Sequence, residues 1–512
     1  MSLKSRLTAV GIIAAAAAAT FFIAGSDREI SEKKEETVFS GGKETLYLWY
    51  TDEALTSYLG SAAVTYSETH DVRIVPVLES GLEYLEKINQ VSLEGNEPDM
   101  YILSNDLLEK AYLAGLADEV EPAGDMTMAG TYIGTGLHAA SYKDKIIGYP
   151  FYFETSSLLY NATYLKDMAV KELEAEADLA EGEASRRQAD QAAETIGLAG
   201  VAEVLAGSTA QTQAHAGEPE GESGQPFTQE QIEARVKELL PATIQDIRTF
   251  ADNYDAPEQV EGVFKWDVTD IFYNYFFIGD TIHMGGEAGW DSGQIDIYNP
   301  DAIRSMRAYQ ELSQFFSIDT DRIDYDTILD EFMAGKMVFT MATTDAVFKL
   351  EDAKDDGLFV YDYDIALTPD IDENTRTRSL SVTNCVVINA YSQNKEAAND
   401  FARFLTSEYN DILFARTGKA SAAEGVDYGF EALKKFADEY RESVPMPKMI
   451  ETSNFWIKLE VAFSQIWNGA DANEKLKELS EQIMAQVTGA AYEEEYIEEP
   501  EEPEEEPEYL EE

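Results

Sequence analysis

Between residues 41 and 168 the chain alternates short apolar runs with longer stretches whose apolar residues fall three and four apart. Thr45–Tyr50 (TLYLWY) has the length and apolar character of a buried strand, and Thr51-Asp52 after it offers a helix N-cap. Leu55, Tyr58, Leu59, Ala62, Ala63 and Tyr66 then share one helical face. Val72–Val77 predicts a second strand, which Pro76 assigns to an edge or a strand end because proline cannot donate to a ladder. A helix around Leu82–Ser92, a Glu97-Pro98-Asp99 turn and a strand Met100–Leu103 follow, and Ser104-Asn105-Asp106 caps a further helix that stops at Gly115. This β-α-β-α-β-α order predicts an α/β fold with a largely parallel sheet and helices on both faces.

The same alternation resumes further along. Asn299-Pro300 supplies a cap and a first-turn proline for a helix to Phe316, and a second helix, Tyr325–Ala334, ends at Gly335. Strands are predicted at Met337–Met341, Tyr363–Leu367 and Cys385–Ile388, and helices at Lys395–Thr406, Asn454–Trp467 and Ala472–Val487. Two α/β lobes are the economical reading. Between them, residues 169–225 are rich in Ala, Glu, Gln and Gly and poor in bulky apolar residues. Parts of that stretch could form exposed helix, but it reads as a low-complexity insertion without a core.

The ends differ from the middle. Lys4 and Arg6 precede an 18-residue, mostly apolar run from Leu7 to Ala24, the pattern of a secretory signal. The run is near the lower limit for spanning about 30 Å of hydrocarbon. No small-x-small cleavage site fits, since Phe22 would stand at −3 to Ala24, and no cysteine follows to carry a lipid. Residues 1–24 are therefore read as an uncleaved membrane-anchoring segment, with cleavage as the alternative, and 25–40 as a linker. At the other end, 13 of the residues 493–512 are Glu, and prolines interrupt them. Residues 491–512 are expected to form a disordered acidic tail.

Composition narrows the function. A formal charge of −60 argues against nucleic acid, whose backbone is bound by neutralising it with Lys and Arg. A single cysteine, Cys385, excludes an internal disulfide or a Cys-ligated cluster, and four scattered histidines lack metal-ligand spacing. No metal or other cofactor is expected. The G-x-S-x-G, H-E-x-x-H and phosphate-loop motifs are missing, and His283-Met-Gly-Gly-Glu reads as a turn. What remains is a set of carboxylates after predicted strands: Asp52, Asp106 and Asp345. Ligands of open α/β sheets bind beyond the carboxyl ends of strands, where such groups accept hydrogen bonds from sugar hydroxyls. Each of the three could equally be a helix N-cap.

Longer motifs carry a family resemblance. Tyr149-Pro150-Phe151-Tyr152-Phe153-Glu154-Thr155-Ser156-Ser157-Leu158-Leu159-Tyr160-Asn161 matches a YP-x-x-x-E-x-x-x-LxYN pattern, and LYLWYTDE, Glu97–Asp106, FMAGKMVFTMATTD, Asn389–Thr406 and Asn454-Phe455-Trp456 add to it. Together they resemble the extracellular solute-binding proteins of sugar ABC importers, the maltose-binding-protein-like family, over about residues 45–488 except the insertion. The resemblance implies a two-lobed periplasmic-binding-protein-like fold with discontinuous lobes, a hinge and an interlobe cleft. Lobe 1 would be 41–153 with 370–425, and lobe 2 would be 154–369 with 426–490.

It also implies a non-enzymatic function: an exported monomer that captures a sugar, an oligosaccharide in the fullest reading, and delivers it to the transmembrane permease subunits of an ABC importer. The ligand-contacting positions carried over are Asp52 and Glu53 in the first loop, Asp106, Glu154 at the crossing, and Trp456. Asp345 stands where the family often has a stacking Trp, and Leu103 where another aromatic often sits. Tyr152, Trp266, Tyr273 and Trp290 are further candidates, with Asp270 and Asp267 adding polar contacts. The alternative from another class is an exported glycoside hydrolase using paired carboxylates.

Overall fold

The computed structural model describes residues 43–120, 130–143, 145–199, 227–316, 318–320 and 322–498. The N-terminal segment 1–24, the linker 25–40, residues 200–226 of the insertion and residues 499–512 of the tail lie outside the described residues. Of the two units in the chain, Met1–Glu44 and Thr45–Glu512, the second holds nearly everything described below.

Ten strands make one continuous sheet: β1 (Glu44–Tyr50), β2 (Val72–Leu78), β3 (Met100–Ser104), β4 (Tyr149–Asn161), β5 (Gly262–Phe264), β6 (Met337–Thr343), β7 (Tyr363–Ala366), β8 (Leu380–Ile388), β9 (Ala420–Ser421) and β10 (Val444–Pro445). Its main order is β2-β1-β3-β8-β4-β6-β5, with β7 and β9 also on β4 and β10 on β8. The Pro76 strand, β2, lies at one end of that order. The expectation of a largely parallel sheet is corrected. β1 runs parallel to β3 and β5 to β6, but β8 is antiparallel to both β3 and β4, and β4 is antiparallel to β6 and β7. The reason is β4 itself. Its 13 residues are almost all buried, the mark of a strand covered on both faces, and the chain returns beside it from distant segments instead of by local crossovers.

That strand joins two cores. Tyr149–Thr155 pairs with β8, whereas Ser156–Tyr160 pairs with β6. On the first side, Leu48, Tyr58, Met100, Phe151, Val386 and Phe401 pack together. On the second, Trp266, Phe277, Tyr309, Phe339 and Trp467 belong to a larger cluster. The predicted helical face of Tyr58, Leu59, Ala62, Ala63 and Tyr66 is buried in helix Thr56–Thr69. Asn299 caps helix Pro300–Phe315 by accepting from the Ala302 N–H at 2.9 Å.

Two seams behave differently from their composition. Helix Ala162–Ala199 runs into the insertion, and its first turns are not spacer: Ala169 is fully buried, Leu173 packs on the second core, and Arg235 binds Glu172 and Glu176. Likewise residues 491–498 of the acidic tail lie against the second lobe. The Asn473 side chain donates to the Ile497 carbonyl at 2.9 Å, the Ile497 N–H donates to the Tyr298 hydroxyl at 3.0 Å, and Ile497 meets the core. Across the two seams a few apolar residues, with ion pairs or hydrogen bonds beside them, anchor chain whose average composition favours solvent.

The chain passes between the lobes three times: along β4, from β7 to β8, and from β9 through helix Glu431–Glu442 to β10. The carboxylate of Glu439, on that helix and 3 % exposed, gathers all three. It accepts from the Ser379 hydroxyl at 2.6 Å and from the Thr368 N–H and hydroxyl at 2.9 Å each, and it lies 3.4 Å from the Ser157 hydroxyl, which donates to the Ala366 carbonyl at 2.6 Å. Burial pushes its carboxyl above the ordinary carboxylate range, against the pull of these donors. The next residue, Tyr440, stacks on Phe153 of β4 at 3.9 Å and shares a 2.6 Å hydrogen bond with Thr383 of β8. Glu439→Ala leaves the Thr368 N–H and the Thr368 and Ser379 hydroxyls without their acceptor, an expected loss of about 1–3 kcal/mol in urea unfolding. A change under about 0.5 kcal/mol would show that water replaces the carboxylate without cost.

Candidate functional site

Four side chains converge where β4 passes from the first core to the second. Asp52 ends β1 and caps the following turn, its Oδ1 accepting from the Ala54 N–H at 2.9 Å. Glu154 lies on β4 next to the lobe crossing. Between them stands Lys419, whose Nζ is 2.7 Å from Glu154 Oε1 and 3.1 Å from Asp52 Oδ2. The same ammonium lies 5.4 Å from the ring centre of buried Tyr152. Burial works against the Lys419 charge, but Glu154 and then Asp52 outweigh it, and the ammonium titrates above its ordinary value. Burial, helped by the Asp52 and Glu154 charges, raises the Tyr152 phenol well above its ordinary range, so it stays a neutral donor.

The second lobe presents aromatic rings and another charge pair. Asp345 opens helix Asp345–Asp355, so this carboxylate is neither a side-chain N-cap nor a free group. Its Oδ1 accepts from the Tyr325 hydroxyl at 3.0 Å, its Oδ2 lies 3.0 Å from Lys349 Nζ, and the Thr343 hydroxyl also bonds to it. Tyr325 stacks on Tyr273 at 4.9 Å between ring centres. Tyr273 follows Asp270, which caps its short helix through the Phe272 N–H at 2.8 Å and whose carboxyl burial pushes upward, the Asp267 charge adding to it. Half-buried Trp456 lies beside Tyr275 at 5.6 Å, and its helix packs against Ile271–Asn274.

One contact ties the two groups together. Phe348, one turn after Asp345, faces Gly418, the residue before Lys419; a Cβ at Gly418 would lie 3.3 Å from the Phe348 ring. Gly418 also has φ +71°, which a side chain would strain. Phe348, on the helix that Asp345 opens, therefore meets the chain next to Lys419.

The remaining candidates separate from this pair. Glu53 is exposed on the turn after Asp52. Asp106, half-buried after β3, accepts from the Ser104 hydroxyl at 2.5 Å and is not the N-cap. Trp266 is corrected: at 0 % exposure it stacks on Phe264 at 4.6 Å, meets Trp467 edge-on, and donates its indole N–H to Asn274, so it is core. Trp290 packs edge-on against Tyr142 at 6.0 Å, on the turn that Gly285 and Gly286 make at positive φ, as the glycine pattern predicts. Cavities of about 300 and 450 Å³ open instead between residues 279–296 and residues 374–378. Their linings hold no Trp, Tyr or Phe to meet a ring, and they do not touch either cluster. Among the described residues no group of three His, Cys, Asp or Glu is placed to hold a metal ion.

Lys419, Tyr325 and Phe348 were not legible as site residues. The one signal for Lys419 is a lone cation inside a run of small residues, Thr417-Gly-Lys-Ala-Ser-Ala-Ala423, whose Ala420–Ala423 are buried.

The fold is that of known binding proteins. An extracellular solute-binding protein from Staphylococcus aureus, solved in complex with maltose, aligns at TM-score 0.64 and 17 % identity, covering 87 % of this chain and 98 % of its own. A cyclo/maltodextrin-binding protein complexed with maltotetraose aligns at 0.62 and 18 %, covering 89 % and 100 %. The maltose-binding periplasmic protein of Listeria monocytogenes, complexed with maltose, aligns at 0.62 and 17 %, covering 88 % and 100 %. These likenesses define a two-lobed α/β binding-protein fold. No curated protein sequence matches the chain. Residues 61–428 match the bacterial extracellular solute-binding protein family, and the chain belongs to it.

Asp106 gives a test by pH. Burial raises its carboxyl above the ordinary value, the Ser104 hydroxyl only partly opposing this. The folded state therefore holds this proton more tightly than the unfolded chain, whose Asp titrates near about 3.9. The resulting stability is full below that pH and is lost as pH rises through the folded value. Asp106→Asn should then raise the ligand-free melting temperature at pH 7 more than at pH 3. An equal or opposite shift at the two pH values would show that hydrogen bonds to the charged form dominate.

Proposed function

We propose that this solute-binding protein captures a sugar, an oligosaccharide in the fullest reading, between its lobes and delivers it to the permease subunits of an ABC importer. The observation that carries this is the junction at Lys419. On one side stand a carboxylate pair, an ammonium and the Tyr152 ring; on the other, the stacked Tyr273–Tyr325 rings, Asp345 with Lys349, and Trp456. Sugars need this mixture, because their hydroxyls take hydrogen bonds from both donors and acceptors while their C–H faces pack on aromatic rings. The structural relatives solved with maltose or maltotetraose support the reading. Hinge closure about the three crossovers would complete the hydrogen-bond shell, as in other two-lobed binding proteins.

The N-terminal segment gives the setting: a monomer, exported and held at the outer face of the membrane by residues 1–24, or released if they are cleaved. Among the described residues no helix is long and apolar enough to cross a membrane, and the proposed anchor lies outside them. The hydrolase alternative finds less support. Asp52 and Glu154 are close, but Lys419 sits between them as a shared counter-ion, whereas glycoside hydrolysis needs one carboxyl held protonated as the acid.

Two measurements test this. In a thermal-shift panel of neutral mono- and oligosaccharides, at least one should stabilise the full chain, by about 2.7 kcal/mol at one hundred times Kd. No shift from any sugar, with a shift from an anionic or peptide solute, would refute the sugar reading. For the sugar that binds, Glu154→Ala and Trp456→Ala should each lose about 5- to 150-fold in affinity, from about 1–3 kcal/mol of unpaired hydrogen bonds or lost ring contact. If Glu154→Ala lowers stability and leaves affinity unchanged, Glu154 is a hinge residue. Turnover of an aryl glycoside that Glu154→Gln abolishes would replace transport by hydrolysis.

A further inference from the structure

The hydrogen-bonding capacity left over at Lys419 is specific. Each Asp52 oxygen already has a partner, one the Ala54 N–H and the other Lys419. Glu154 gives Oε1 to Lys419 at 2.7 Å, and no described residue donates to its Oε2. An ammonium has three N–H donors and no acceptor. With two directed at Asp52 and Glu154, a third remains. Both side chains keep access to solvent, 38 % for Glu154 and 19 % for Lys419. The site thus offers one charged donor and one charged acceptor side by side, at the spacing of a hydrogen bond, with the Tyr152 ring next to the ammonium.

We propose that Lys419 is a specificity-determining residue that acts with Glu154 to read two adjacent hydroxyls of a sugar ring. One hydroxyl oxygen accepts from the free Lys419 N–H, and its neighbour donates to Glu154 Oε2. Both bonds use capacity that the Lys419–Glu154 ion pair leaves open, so they form without breaking it. The same arrangement selects against other solutes. The Asp52–Lys419–Glu154 group carries one net negative charge, which repels carboxylates and phosphates, and a cationic solute would compete with Lys419 for its own partners. The proposal rests on the sugar reading of the site and deepens it.

The test uses the full chain, the neutral sugar giving the largest thermal shift in the panel, and each monodeoxy derivative of that sugar. On wild type, removing either of two adjacent hydroxyls should cost about tenfold or more in Kd, because a charged partner is left unpaired. On Lys419→Met, which keeps an unbranched stem and loses the donor, one of those two derivatives should bind within about twofold of the parent sugar. On Glu154→Gln the penalty for the other should shrink. Lys419→Arg, which keeps the charge and moves the donors, should change the derivative profile even if the Met variant fails to fold. If a sugar binds but the profile is the same on wild type and both Lys419 variants, this proposal fails and the sugar reading stands. If no sugar in the panel binds, both fail.

Discussion

A single buried carboxylate holds the three crossovers in register. Glu439 accepts from Thr368 and Ser379 of the β7–β8 passage, lies against Ser157 of β4 and, through its own helix, is fixed to the third. A carboxylate suits this position because it offers acceptors in several directions and donates nothing, so several donors from separate segments must converge on it. Taking its charge out of water is costly, and it is tolerated only where every oxygen is bonded. Three donors, shared over both oxygens, meet that condition here. The neighbouring Tyr440–Phe153 stack and the Tyr440–Thr383 hydrogen bond fix the same strands from the other side of the helix turn.

The binding junction follows from that arrangement. β4 carries Tyr152 and Glu154 where it pairs with β8 and pairs within two residues with β6, so the groups proposed to face the sugar lie next to the change of partner strand. In the proposed closure, a small rotation there would leave Glu154 nearly in place and carry the Asp345–Tyr325–Tyr273 group toward or away from it. At the Phe348–Gly418 approach, only glycine admits the ring that closely at a positive φ. The ion pairs on each side, Lys419 with Asp52 and Glu154 and Lys349 with Asp345, keep the charged groups oriented before any ligand arrives. Such pre-organisation lowers the ordering cost of binding.

Much of the fold is written locally. The one-faced helix from Tyr58 to Tyr66, the Asn299-Pro300 start and the Gly115 and Gly335 stops depend on neighbours a few residues away, and each is where periodicity and capping place it. Strand direction is not local. β8 lies antiparallel between β3 and β4 because of pairings across 225 or more residues, which no window of sequence contains. The site divides in the same way. Asp52, Tyr152 and Glu154 sit in recognisable motifs and come together. Lys419 is brought to them from 265 residues beyond Glu154 by β9 pairing with β4. Trp266 misled for the opposite reason: a tryptophan beside aspartates reads as a polar site, yet its indole N–H is satisfied by buried Asn274 and its rings by Phe264 and Trp467.

Sugar capture by lobe movement is the central claim, and an interlobe distance tests it most directly. The single native cysteine, Cys385, is buried with its thiol pushed up to about 12 by burial, so it resists labelling. Cysteines introduced at Val64, 63 % exposed on the first lobe, and Leu358, 75 % exposed on the second, can carry a spin-label pair. Saturating the labelled full chain with its sugar should shift the distance distribution to a second, narrower position, and washing the sugar out should restore the first. An unchanged distribution with the sugar demonstrably bound would contradict closure of the lobes around the ligand.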